Sequence, residues 1–203
     1  MLALTWLVYA SFGVITGTIP PLVELIVQDL RMTYSQMGLV LGAWQLVYIG
    51  TAYPLGVLVD RLGVRRSLGL GIVVMLLSLV LRGLAGDFFT LFVAVALFGV
   101  GGPIISIGAP KVVSVWFQGN QRGLAAGVYA TGPLIGMSFA LATASSVVVP
   151  LVGTWRGVSL VYGVLVLLVL LAWWGFSRDI DVPQENQGSD FADERDCSLE
   201  GHR

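Results

Sequence analysis

The residues best placed by type and spacing to do chemistry are one charged run, Gly56-Val57-Leu58-Val59-Asp60-Arg61-Leu62-Gly63-Val64-Arg65-Arg66, and a few polar side chains scattered through apolar sequence. The chemistry they suit is electrostatic and hydrogen-bonding. Within the run, Asp60 can bond a facing helix N-terminus or a cation, Gly56 lets another helix approach its backbone, and Gly63 permits a tight turn. Elsewhere, Arg82 and Lys111 are cations inside apolar stretches, where an ionisable group is costly and therefore a candidate site. Either could neutralise an anion, and either could instead anchor at an interface by extending its apolar stem. Gln45, Tyr48 and Tyr129 lead the neutral candidates for contact with a solute, ahead of Tyr9, Thr16, Ser106 and Thr131. A Gln amide has both donors and an acceptor to satisfy, so helix-to-helix bonding is its other use. Glu24 offers a carboxylate for proton coupling or a solvated loop acid.

Bond-making chemistry has little to work with. The only cysteine is Cys197 and the only histidine is His202, both in a polar C-terminal segment. No intrachain disulfide can form, and neither a nucleophile–base pair nor a metal-ligand cluster is available inside the apolar body. The sequence therefore predicts no catalytic residues, no metal, no cofactor and no enzyme activity.

The elements that must position these residues follow from composition. Of 203 residues, 56% are hydrophobic and 11% charged, with mean hydropathy +0.87, against roughly 25% charged in a soluble domain. A bilayer core takes roughly 20 helical residues to cross, since unpaired backbone polar groups are costly in lipid. Uncharged runs of that length predict six spans at about 2–23, 35–59, 67–85, 88–113, 123–149 and 157–176. The first has no basic lead-in and no small-x-small cleavage site, so it reads as a membrane helix and not a signal peptide. Glu24 to Tyr34 reads as a short polar turn in which Thr33 or Ser35 caps the second span. The expected architecture is an all-α bundle over residues 1–177, multi-pass in the cell membrane.

Charge is divided unevenly. Before residue 178 there are eight basic and four acidic residues; from 178 to 203 there are three and eight. The latter segment is expected to be disordered, because its few apolar residues cannot offset ordering entropy. Basic residues in short loops favour the cytoplasmic side. Arg61, Arg65, Arg66, Lys111, Arg122 and Arg178 fall on one side, and Arg31, Arg82 and Arg156 on the other. That predicts both termini inside, with Trp116, Phe117, Trp173, Trp174 and Phe176 at the cytoplasmic ends of their spans. No basic patch of the kind that binds nucleic acid is present.

The spacing Gly56-xxx-Asp60-Arg61-x-Gly63-x-Arg65-Arg66 resembles the loop 2/3 signature of the major facilitator superfamily of secondary transporters at all six positions. Trp116-Phe117 followed by Arg122-Gly123-Leu124-Ala125-Ala126-Gly127 is similar to that family's connection between helices 4 and 5, and Trp155-Arg156 to the start of its helix 6. Gly132-Pro133-Leu134-Ile135-Gly136 is similar to the GPxxG element of antiporter-type members, although Gly127 lies five residues before Gly132 where the fuller pattern has four. The stretches around Arg82, Lys111 and Arg122 look most like cyanate/nitroimidazole-type or organic-anion branches. The resemblance covers residues 1 to about 180. It implies the N-terminal six-helix half of a twelve-helix transporter, built as a 3+3 inverted repeat, moving a small solute, such as a small organic or inorganic anion, by alternating access. Under it Asp60 latches the cytoplasmic side, Gly132, Pro133 and Gly136 form a hinge in helix 5, helices 1 and 4 line the path, and segment 178–203 begins the central linker. A second six-helix bundle, from a C-terminal half or a homodimer, is then the expected partner. The competing reading is a fragment or membrane interaction protein without transport.

Overall fold

The computed structural model of the chain describes residues 2–116 and 120–177, with side chains of 114–120 excluded. The acidic segment 178–203 and the side chains of Trp116 and Phe117 lie outside the described residues. Every described element is helical: α1 (Leu2–Thr18), a short 3-10 turn (Pro20–Leu22), α2 (Val23–Asp29), α3 (Tyr34–Leu62), α4 (Val64–Gly83), α5 (Phe88–Trp116), α6 (Asn120–Thr143), α7 (Val149–Val152) and α8 (Trp155–Phe176). Together they make six helices long and apolar enough to cross a membrane: α1 with α2, α3, α4, α5, α6 with α7, and α8.

The first span is longer than the sequence suggests. Where Glu24 to Tyr34 reads as a turn, the chain continues helically to Asp29. Pro20 and Pro21 stand in the first turn of that continuation, where a missing N–H costs nothing. Leu22, Ile26 and Val27 then bury against the core and hold the added turns in place. The real stop comes at Thr33, whose hydroxyl accepts from Gln36 N–H while the Gln36 side chain accepts from Thr33 N–H, a reciprocal cap on α3. Asp87 caps α5 in similar fashion through Thr90 N–H at 2.8 Å, and these bonds hold its carboxyl below the usual carboxylate range.

Four helical prolines, Pro54, Pro103, Pro110 and Pro133, leave their helices continuous. Pro150 does not. A proline ring collides with the carbonyl four residues earlier, and the turn before it, Ala144–Val148, widens to a π-helix. Gly153, at φ 73, then ends α7 in the left-handed conformation.

Packing follows a two-fold pattern. The most extensive contacts join α1 to α6, α3 to α5, α4 to α5, and α4 to α8. Numbered as spans, these are 1 with 5, 2 with 4, 3 with 4 and 3 with 6. Exchanging spans 1–3 with spans 4–6 turns the first pairing into the second and leaves the last unchanged, as an inverted repeat requires. The α1/α6 seam is a mutual small-residue crossing. Gly13 and Gly17 on α1 face the backbone of Pro133 and Met137, while Gly132 and Gly136 on α6 face the backbone of Trp6 and Ala10. A side chain at Gly136 would run into the Ala10 carbonyl.

Candidate functional site

Three groups of polar residues are built by these helices, one at each end of the bundle and one inside. At the end carrying the α3–α4 turn, Gly63 takes φ 78, a conformation that favours glycine, and reverses the chain. Asp60, on the last turn of α3, forms an ion pair with Lys111 of α5. Lys111 thus lies with the charged run and away from the interior, so the structure does not bring it to the other solute candidates. Arg65 reaches α8, donating from Nε to Ser177 Oγ at 2.8 Å and stacking over Trp174 at 5.9 Å. Trp173 returns a bond to the Arg65 carbonyl at 3.1 Å. Gly56 approaches Ile107 of α5, and Arg61 and Arg66 are exposed. The run therefore joins α3 to α5 and α4 to α8, two of the four pairings described above.

At the opposite end a cluster absent from the sequence-derived candidates ties three spans together. Asp29 Oδ2 accepts from Trp155 Nε1 at 3.0 Å and from Arg156 Nη1 at 2.7 Å. Arg156 also donates from Nε to the Ala85 carbonyl at 2.8 Å and lies over the Trp155 ring at 4.6 Å. The signal available in sequence was that Asp29 and Arg156 flank spans on the same side.

The third group is internal. Arg82, in the last turn of α4, is only 2% exposed. Its Nη1 donates to the Ile15 carbonyl at 3.2 Å, where α1 passes, and its guanidinium lies 5.4 Å from the Phe98 ring centroid. Its Nε has no hydrogen-bond partner. Among the described residues no carboxylate is paired with it. The interface-anchor reading of Arg82 is therefore corrected: the rotation of α4 turns the side chain inward, among α1, α3 and α5. A cavity of about 20 Å³ opens beside it, lined by Ile15, Thr16, Ile19, Leu41, Trp44, Val95 and Phe98. That is room for a water or one end of an oxyanion. A buried guanidinium with spare donors in a low-dielectric setting is a strong anion ligand.

A run of aromatic contacts extends from the cavity lining. Phe12 of α1 packs on Phe98 and Trp44, Trp44 on Tyr48, and Tyr9 on Phe12 and Tyr129. Gly102 of α5 makes space for this, since Tyr48 and Phe12 occupy the volume its side chain would fill. The Tyr9 hydroxyl lies close to the side chains of Ser106, Tyr129 and Tyr48. Tyr48 and Tyr129, half-buried, thus belong to one run of aromatic contacts, and Gln45 shares a helix face with Leu41 and Tyr48 while remaining exposed. Phe12, Trp44 and Phe98 were missed among the sequence candidates, although Tyr9/Phe12 and Trp44/Tyr48 carry helical spacing. Gly132, Pro133 and Gly136 lie at the α1/α6 crossing, and the irregular turn of this span falls later, at Ala144–Val148.

Comparison with known proteins agrees with this architecture. The family model described as Major Facilitator Superfamily matches residues 2–197. A probable L-galactonate transporter of Escherichia coli (strain K12) is 29% identical over 153 residues, covering 75% of this chain and 33% of its own length. A hexuronate transporter of Bacillus subtilis (strain 168) is 28% identical over 157 residues, covering 77% and 36%. A probable nitrate transporter of Staphylococcus carnosus (strain TM300) is 29% identical over 116 residues, covering 57% and 30%. The chain spans about a third of the length of these relatives. In fold, it superposes with TM-score 0.75 and 19% identity on a bacterial homologue of the human lysosomal transporter Spinster, crystallised inward-facing and unoccupied, covering 97% of this chain and 48% of that one.

Proposed function

The chain belongs to the Major Facilitator Superfamily, and from that premise we propose that it forms one wall of a pathway through which a small anion crosses the membrane. The observation that carries this reading is Arg82: a buried guanidinium with an unpartnered Nε, no paired carboxylate among the described residues, and a cavity at its side. Leaving a cation unpaired in a bundle interior is costly. An anionic solute would supply the missing partner, so the cost of burial becomes affinity. The named relatives handle galactonate, hexuronate and nitrate, all anions.

In this reading the protein is a multi-pass component of the cell membrane, oriented with the Gly63 turn in the cytoplasm. Solute enters along the aromatic run, its charge meets Arg82, and rocking of this bundle against a second six-helix bundle exposes it to the other side. The Asp60–Lys111 pair and the Arg65 bonds to α8 form the latch that must loosen or regroup during that motion. The close α1/α6 crossing lets the two helices move as one body. Lipid surrounds the apolar outer faces, where Leu46, Ile49 and Tyr53 are exposed.

Intrinsic fluorescence tests the proposal, because Trp44 lines the cavity. Purified chain in detergent, titrated with sodium D-glucuronate, sodium nitrate and D-glucose at constant ionic strength, is expected to respond saturably to at least one of the two anions and not to the neutral sugar. Arg82→Gln abolishes the response and Trp44→Phe removes most of its amplitude. A response equal for glucose and glucuronate, or unchanged in Arg82→Gln, overturns the anion reading.

A further inference from the structure

Building on the anion reading, we infer that the solute is a polyhydroxylated carboxylate, its carboxylate at Arg82 and its hydroxyls read by Tyr9, Tyr48, Tyr129 and Ser106. Three helical stripes converge to make this arrangement. On α1, Tyr9, Phe12 and Thr16 follow one another at spacings of three and four; on α3, Leu41, Trp44 and Tyr48 do the same; on α5, Phe98, Gly102 and Ser106 are spaced by four. Such spacings keep each stripe on one helix face. The ring contacts join the stripes into a continuous wall from the guanidinium to the hydroxyl cluster.

Length along the wall discriminates between anions. Tyr9 lies six residues before Ile15, the carbonyl partner of Arg82, which is about 9 Å at the helical rise. Phe98 and Ser106 are eight residues apart, about 12 Å. A hydrogen bond of about 2.9 Å at each end adds to the reach of a ligand lying along the wall. A six-carbon acid has seven bonds from a carboxylate oxygen to its far hydroxyl oxygen, as many as a little over two extended residues, or about 8 Å. It can hold Arg82 with one end while its hydroxyls approach the tyrosines. An inorganic anion such as nitrate ends at Arg82 and leaves the hydroxyl cluster empty.

Hydrogen-bond character points the same way. A nitrate or simple carboxylate only accepts, and is best served by N–H donors. Tyr and Ser hydroxyls both donate and accept, which matches ligand groups that do both. The rings between them offer apolar faces for the C–H surface of the solute. A site built to bond hydroxyls discriminates strongly against analogues lacking them, because its own polar groups are then left unpaired.

The same fluorescence titration decides the matter, with D-glucuronate, acetate and nitrate as probes. Tyr9→Phe, Tyr129→Phe and Ser106→Ala keep nearly all the packing while removing one oxygen each, and circular dichroism confirms that each variant folds. The inference expects glucuronate to bind at least about ten-fold more tightly than acetate or nitrate, and at least one hydroxyl deletion to weaken glucuronate about ten-fold while leaving acetate and nitrate unchanged. Equal affinity for the three anions, or glucuronate affinity unmoved by all three deletions, overturns it. Loss of all anion binding in Arg82→Gln alongside insensitivity to the hydroxyl deletions leaves the anion reading standing without this refinement. Glucuronate binding that survives Arg82→Gln instead removes the anion reading itself.

Discussion

Arg82 and Arg156 are two arginines on the same side of the sequence-derived topology, and the bundle treats them oppositely. Arg156 is part-exposed and engaged by Asp29, the Ala85 carbonyl and the Trp155 ring. Arg82 is buried, has one carbonyl and one ring for company, and keeps Nε unpartnered. The first joins the ends of spans 1, 3 and 6 and can be understood entirely as structure. The second is buried with an unpartnered donor, which is costly to an empty bundle, and under the proposed function a bound anion offsets that cost. An arginine satisfied by its own chain has nothing to offer a solute.

Giving Arg82 the partner that Arg156 already has breaks the contrast most sharply. Thr16 lines the cavity, and Thr16→Asp would place a carboxylate near the guanidinium without removing the cation. Anion binding in the fluorescence titration is expected to fall by roughly 10- to 100-fold, the worth of about 1.5–3 kcal/mol for a hydrogen bond to a charged group. Arg156→Met tests the other side. It should lower unfolding stability by about 1 kcal/mol, a figure discounted because the pair is partly exposed, while leaving anion affinity unchanged. Thermal unfolding in detergent checks the first expectation and titration the second. The smallest effect belongs to the latch. Asp60→Asn removes an exposed ion pair whose side chains are 62% and 39% accessible, so stability should change by about 0.5 kcal/mol or less. Any larger consequence should appear in the rate of solute exchange and not in melting.

Much of the scaffold was legible because long apolar runs admit few alternatives. Uncharged stretches pointed to six helical spans, Gly63 announced the reversal it makes, and Thr33 was one of two named caps. The end of the first span was not legible. Glu24 and Asp29 made residues 24–34 look like a loop, while burial of Leu22, Ile26 and Val27 depends on neighbours distant in sequence. The π-turn before Pro150 could have been read from that proline alone.

The site divides along a similar line. Tyr48 and Tyr129 could be nominated because polar groups in a span demand explanation, yet the aromatic wall joining them needs three helices in register. The fate of Arg82 hinges on the rotation of α4 about its own axis: a residue at the end of a span can reach outward to the interface or inward to the core at the same depth. Asp60 had two named kinds of partner, and only the α3/α5 packing selects Lys111. Sequence supplies the inventory of costly groups, and packing decides which of them the fold leaves unsatisfied.

The most direct measurement of the central claim is thermal unfolding of the full chain and of Arg82→Met in detergent, each with and without saturating sodium D-glucuronate. A ligand that binds only the folded state raises its stability in proportion to affinity. The account predicts that the wild-type chain melts higher with glucuronate, that Arg82→Met gains nothing from it, and that the unliganded variant melts no lower than wild type. An unliganded Arg82→Met that melts well below wild type and still gains the full increment from glucuronate would contradict it, and would place Arg82 with Arg156 as a structural residue.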